Sequence, residues 1–87
     1  MLRISKEKNG RLAVSLRLEG KLDESLAPLL NDECRNLLEA GHDVELDLAC
    51  LRFADATGIE TLQRLRASGA RLVQPTPLLQ ELLERTG

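Results

Sequence analysis

Aromatic side chains are almost missing from this 87-residue sequence: Phe53 is the only one, and there is no tryptophan or tyrosine. Proteins that grip single-stranded nucleic acid stack bases on aromatic rings in a basic groove, and this chain has neither. Twelve Lys and Arg against fourteen Asp and Glu leave a formal charge of −2 with the signs interspersed, so no basic face for duplex or RNA arises. No nucleic-acid partner is expected. Long apolar runs are missing too. None approaches the ~20 residues that span a bilayer, and the start, "MLRISKEKNG", lacks the apolar core of a secretory leader. Direct membrane insertion is not expected, and the protein is expected in the cytoplasm.

Cysteine and histidine are scarce. Cys34 and Cys50 are expected as free thiols in a reducing compartment. With the lone His42 they form a C-x7-H-x7-C spacing, which matches no zinc pattern. No metal and no cofactor is expected. Cys34 falls on the apolar side of a helical pattern and reads as a small buried hydrophobe. His42 lies in the "AGHDV" turn, where a loop histidine is the default. There is no Ser/His/Asp order and no Cys/His pair, and "LEGKLDESLAP" is not a phosphate cradle. Two carboxylates can do acid–base work, but Asp23 and Asp55 have no nucleophile, base or metal ligand beside them. No enzyme is expected.

What is present is aliphatic and periodic. Hydrophobic residues make up 43% and charged residues 30%, the balance of a globular chain. At this length one domain over residues 1–87, with one two-layer core, is the ceiling. "LRISKE" reads as a short strand, Asn9-Gly10 as a tight turn, and "RLAVSLRL" as a strand with Leu12, Val14, Leu16 and Leu18 on one side. Gly20 is expected to end it. From about Glu24 to Ala40 the period becomes helical, with Leu26, Leu29, Leu30, Cys34, Leu37 and Leu38 on one stripe. Asp23 or Ser25 can cap that helix, Pro28 fits its first turn and Gly41 stops it.

"DVELDLACL" returns to period two, with Val44, Leu46 and Leu48 inward and Glu45 and Asp47 outward. A strand covered on both faces would be apolar throughout. One face of the sheet is therefore expected to be packed by helices and the other more open. After an "RFADA" loop, a helix from Thr57 to about Ser68 carries Ile59, Leu62 and Leu65 inward and stops at Gly69. "ARLVQ" is a last strand. "TPLLQELLERT" is a last helix with Thr76 as cap, Pro77 first, and a stripe of Leu78, Leu79, Leu82 and Leu83. The order β-β-α-β-α-β-α implies an α/β domain, with right-handed crossovers and parallel pairing in a mixed sheet. There is no repeat, linker or low-complexity segment.

The stretch "FADATGIETL" puts a small, polar, helix-starting sequence straight after an apolar strand-like run. "TGIE" spells a capping box: Thr57 can accept from the Glu60 amide, and the Glu60 carboxylate can return to the Thr57 amide. On that reading Thr57 is a structural helix cap worth about 1 kcal/mol. Asp23 and Asp55, each before a helix, read as caps or turn formers.

The order of elements, with "EGKLD", "VELDLACLRFADATGIETL" and "GARLVQPTPLLQELLERTG", resembles the STAS domain over nearly the whole chain. That family includes bacterial anti-sigma-factor antagonists and the cytoplasmic domain of sulphate transporters. In the antagonists, the hydroxyl residue directly before the glycine that opens the second helix is phosphorylated. The enzyme is a partner that is both anti-sigma factor and serine/threonine kinase of histidine-kinase-like fold. The resemblance implies phosphorylation at Thr57 and partner binding through Asp23, Asp55, Ala56, Thr57 and Gly58, with transcription regulation as the output. The antagonists usually carry two hydroxyl residues between Asp and Gly, where this chain has Ala56 and Thr57, and many of them run on for a further strand or helix. Short STAS chains also serve as small cytoplasmic subunits that bind the ATPase of ABC-type phospholipid transporters. Those are expected to spell Asp-Thr-small-Gly, so "DATG" favours the antagonist type. A scaffold component of a sensory assembly is a third implied role.

A phosphate at Thr57 would add about −1.5 to −2 charge at the positive end of a helix. Beside Asp23, Asp55 and Glu60 it would repel an acidic partner without unfolding the domain.

Overall fold

A computed structural model describes residues 1–85. Its elements follow the expected order: β1 Leu2–Lys8, β2 Ala13–Leu22, α1 Ala27–Glu39, β3 Asp43–Ala54, α2 Ala56–Ala67, β4 Arg71–Val73 and α3 Pro77–Glu84. The strands form one sheet in the order β1-β2-β3-β4. β1 and β2 pair antiparallel as a hairpin, whereas β2–β3 and β3–β4 are parallel, each joined by a helical crossover. The expected mixed α/β sheet is therefore present.

Alternation decides which face is covered. Val14, Leu16 and Leu18 of β2 and Val44, Leu46 and Leu48 of β3 are buried against Leu30 and Cys34 of α1, Leu62 and Leu65 of α2, and Leu79 and Leu83 of α3. The opposite face stays polar and open. There Ser15 Oγ donates to Glu45 Oε2 at 3.1 Å, Arg17 faces Asp47 at 3.7 Å and Arg71 faces Glu45 at 3.6 Å. Exposed pairs of this kind contribute at most about 1 kcal/mol each. Their larger effect is to keep one face of the sheet wet.

Three local expectations fail. The hairpin turn is longer than Asn9-Gly10: Asn9 N donates to Ala13 O at 2.9 Å, and Leu12 lies in the loop, 54% exposed. Gly20 does not end β2. The strand runs on to buried Leu22 through Gly20 at φ +99°, where any side chain would collide with the Met1 carbonyl oxygen. The "RFADA" segment is not a loop either, since β3 continues to Ala54. Its inward positions pass from Leu48 to Leu51 to Ala54, because two register shifts against β2 break the period of two. Alternation read along one strand cannot reveal an extra residue that its neighbour accommodates.

The helices begin and end for identifiable reasons. α1 starts at Ala27, later than expected, with no side-chain cap at Leu26 and Pro28 in its first turn. At its end Gly41 N donates to Leu38 O and His42 N to Leu37 O, both at 3.0 Å, the paired bonds of a Schellman stop. Gly69 and Ala70 close α2 the same way, onto Arg66 O and Leu65 O. α3 has the expected Thr76 cap, whose Oγ1 accepts from Leu79 N at 3.3 Å. The apolar stripes are narrower than predicted: Leu29 and Leu78 are exposed. His42 is half-buried and its Nδ1 lies 3.2 Å from Leu12 O.

The two thiols differ in environment: Cys34 is buried and Cys50 exposed. Burial pushes the Cys34 thiol up to about 11. At pH 8 a thiol reagent should therefore modify Cys50 in the native protein and reach Cys34 only after denaturant is added. Because the folded value is raised, this thiol's contribution to stability is intact below pH about 9 and is lost as pH climbs toward 11. Cys34→Ala should flatten that alkaline loss in a titration of unfolding midpoints. Equal labelling of both native thiols would contradict the packing of α1.

Candidate functional site

The adjacent parallel strands β2 and β3 end side by side, with Leu22 opposite Ala54. The next residue on each chain is an aspartate, so Asp23 and Asp55 emerge together at the carboxyl edge of the sheet. Asp55 N donates to Leu22 O at 3.1 Å, which extends the strand pairing by one bond. In an open α/β sheet this edge is where ligands and partners are met.

Each aspartate organises the backbone that follows it. Asp23 Oδ1 accepts from Ser25 N at 3.0 Å and Leu26 N at 3.2 Å, forming an Asx turn that leads into α1. Asp55 is the N-cap of α2: its Oδ1 accepts from Gly58 N at 2.8 Å. Its other oxygen, Oδ2, accepts from Glu24 N at 3.1 Å. One carboxylate thus anchors the start of α2 and the turn before α1.

Gly58 is buried where α2 comes closest to the strands. A Cβ there would lie 2.6 Å from the Leu22 carbonyl oxygen, 3.1 Å from Leu22 Cγ and 3.2 Å from Ala54 Cβ. Only hydrogen fits. Glycine costs a helix about 1 kcal/mol relative to alanine, and here the close approach of helix to strand outweighs that propensity.

The capping box expected at Thr57 does not form. With Asp55 as N-cap, Thr57 is the second helical residue and Glu60 lies too far along the helix to return to it. Thr57 is exposed, and among the described residues its hydroxyl makes no hydrogen bond. Its carbonyl is used instead, accepting from Thr61 Oγ1 at 2.8 Å. The reading of Thr57 as a structural cap is therefore corrected: the cap lies two residues earlier, because β3 continues to Ala54 and leaves Asp55 at the strand–helix junction.

The structure brings the five predicted residues together at the carboxyl edge of the sheet, four of them at the surface. Ala56 and Thr57 are exposed, Asp23 and Asp55 half-buried, and Gly58 buried beneath them. Beside them opens a groove of about 520 Å³ between α2 and α3, lined among others by Ala54, Ala56, Ile59, Gln63 and Leu82. Gln63 Nε2 holds its far wall by donating to Leu83 O at 3.0 Å and Arg85 O at 3.2 Å. The sequence pattern places Ile59 and Leu82 in the core, whereas both are half-buried on the groove, and Gln63 carries no expectation. The recurrence of 55, 59 and 63 at helical spacing was the available signal. Among the described residues no His/Cys/Asp/Glu group is arranged to hold a metal ion, and no helix is long and apolar enough to cross a membrane.

A family model described as "Mlab, STAS domain" matches residues 6–87. The chain belongs to the STAS domain family. Comparison with curated protein sequences gave no match. Among solved structures, the fold is similar to the anti-sigma factor antagonist SpoIIAA in its unphosphorylated form, with TM-score 0.74 and 22% identity over 94% of this chain and 82% of that one. The phosphorylated form of SpoIIAA, a Bacillus cell fate determinant, matches with TM-score 0.66 and 18% identity over 94% and 81%. A part of Mglu also matches, with TM-score 0.67 and 25% identity over 84% of this chain, which spans only 20% of that one. At these identities the SpoIIAA likenesses establish the fold.

The geometry separates two residues that the spelling "DATG" makes look alike. Asp55→Ala removes a cap and the bond to Glu24, and should cost about 1–2 kcal/mol in urea unfolding. Thr57→Ala removes no internal bond and should stay within about 0.5 kcal/mol of the parent. Gly58→Ala should destabilise by about 1–3 kcal/mol despite its better helix propensity. A larger loss from Thr57→Ala than from Asp55→Ala would contradict the assignment of the cap.

Proposed function

We propose that this STAS domain is a non-enzymatic, cytoplasmic protein-binding module, an anti-sigma-factor antagonist whose docking is switched by phosphorylation of Thr57. The observation that carries the reading is the free, exposed Thr57 hydroxyl, held on a helix start that another residue caps. A kinase can reach such a hydroxyl without disturbing the fold. Phosphoryl transfer would exchange the hydroxyl proton for the γ-phosphoryl group of the partner's ATP.

The electrostatics support a switch with little movement. The first amides of a helix have no intrahelical acceptor, and the dipole there favours negative charge. A phosphate on Thr57 is therefore tolerated by its own helix. Toward a partner the same group is unfavourable. It adds about −1.5 to −2 charge to a surface that already carries Asp23, Glu24, Asp55 and Glu60. It also adds bulk where the exposed Ala56 leaves a flat approach.

A second reading has its own support. The groove beside the site has apolar walls in Ala54, Ala56, Ile59 and Leu82, and permanent interfaces are more apolar than transient ones. On that reading the domain is a small subunit bound to the ATPase of an ABC-type phospholipid transporter, and Thr57 stays unmodified.

Partner capture from native lysate by the parent and by Thr57→Glu, read by mass spectrometry, separates the two. The switch predicts that a kinase-like ATPase is recovered by the parent only. Asp23→Lys should weaken the same capture; it also removes the Asx turn before α1, at a cost of about 1 kcal/mol that leaves the domain folded. Recovery of a transporter ATPase by both forms would favour the subunit. If neither Thr57→Glu nor Asp23→Lys alters binding of any recovered partner, docking does not use this surface.

A further inference from the structure

β1 is the outer strand of the sheet, paired on one side with β2. Two hydrogen bonds reveal which of its backbone groups face the free edge. Lys21 N donates to Met1 O and Asn9 N donates to Ala13 O, each at 2.9 Å, at the two ends of an unbroken antiparallel register. In such a ladder hydrogen-bonded pairs alternate with non-bonded pairs. Met1 and Asn9 are both odd-numbered, so the odd-numbered residues of β1 bond to β2. Leu2, Ile4, Lys6 and Lys8 then turn their N–H and C=O groups outward.

Among the described residues this edge is unpaired; an edge of this length is a template for another strand, and its charges select the partner. A symmetric antiparallel pairing with a second copy must set even-numbered residues opposite even-numbered ones. Centred on Ser5, it places Ile4 opposite Lys6, Leu2 opposite Lys8 and Arg3 opposite Glu7, each twice by symmetry. Centred on Arg3, Lys6 or Glu7, it sets like charges across the axis. Centred on Ile4, it strands Lys8 and leaves Arg3 opposite Ser5. Opposite charges across strands stabilise and like charges do the reverse. Only the Ser5 register uses the whole strand with opposite charges paired.

The core-side surface fits the same register. A groove of about 350 Å³ runs beside β1, lined by Leu2, Ile4, Lys6, Leu16, Leu29 and Glu33. Leu29 is 52% exposed there. A lysine arriving opposite Ile4 can lay its methylenes on that apolar floor and bring its ammonium toward Glu33. We propose that the protein forms a two-fold dimer through β1, centred on Ser5, which joins the two four-stranded sheets into one. The occupant of this edge is a second copy of the chain.

In a non-bonded antiparallel pair the two Cα atoms lie about 4.5 Å apart, within disulfide reach of about 4.4–6.8 Å. Ser5→Cys in a Cys50→Ser background should therefore form a covalent dimer under mild oxidant. Glu7→Cys should cross-link far more slowly, because its copies sit about 13 Å apart along the strands. Sedimentation should show a concentration-dependent dimer of the parent. Lys6→Pro removes an outward N–H and no bond to β2, so it should raise the dimer dissociation constant at least about tenfold while the monomer stays folded by circular dichroism. Glu7→Arg should weaken the dimer in the same direction. A parent that stays monomeric at millimolar concentration, Ser5→Cys cross-linking no faster than Glu7→Cys, or a dimer indifferent to both Lys6→Pro and Glu7→Arg would each overturn the proposal.

Discussion

The Asp55 carboxylate is the contact on which the rest of the site depends. One oxygen holds the Gly58 amide and so fixes where α2 begins. The other holds the Glu24 amide and so fixes the turn that leads from β2 into α1. Two crossovers of a parallel sheet are joined by a single side chain. The arrangement needs α2 to lie close against the strand ends, and the missing side chain at Gly58 allows that approach to Leu22 and Ala54. Leucine packing supplies most of the stability of the domain, while this small polar junction decides what its carboxyl edge presents.

Because Asp55 does the capping, Thr57 is left without a structural duty. A hydroxyl that also capped the helix could not be modified without fraying it. On the proposed reading, the helix start and the phosphorylated group are carried by different residues two positions apart. Charge can then change on the surface while the bonds beneath it stay in place. In the proposed switch, the helix start would stabilise the added phosphate locally, and the unfavourable interaction would fall on an approaching partner.

Much of this was legible in the sequence, and the failures have a common cause. Element order, the parallel sheet, the buried Val14–Leu18 and Val44–Leu48 alternations and the Thr76–Pro77 helix start all follow from local pattern. So does the open polar face, read from Glu45 and Asp47. What local pattern could not supply was the behaviour of β2 and β3 past Leu18 and Leu48. There a left-handed Gly20 and two register shifts carry both strands onward, and only the neighbouring strand makes sense of them. That extension also decided the cap. Asp55 and Thr57 are both good N-cap residues, and the choice rested on the tertiary pairing of Leu22 with Ala54.

The central claim is that charge at Thr57 is decoupled from folding. It is tested most directly by installing phosphothreonine at this position and comparing amide NMR spectra and thermal unfolding with the unmodified domain. Shift changes should be confined to residues 23–26 and 54–61, with the transition midpoint displaced by no more than a few degrees. Loss of the Gly58 and Glu24 amide environments together, or unfolding of the phosphorylated domain, would mean that Thr57 supports the helix start after all.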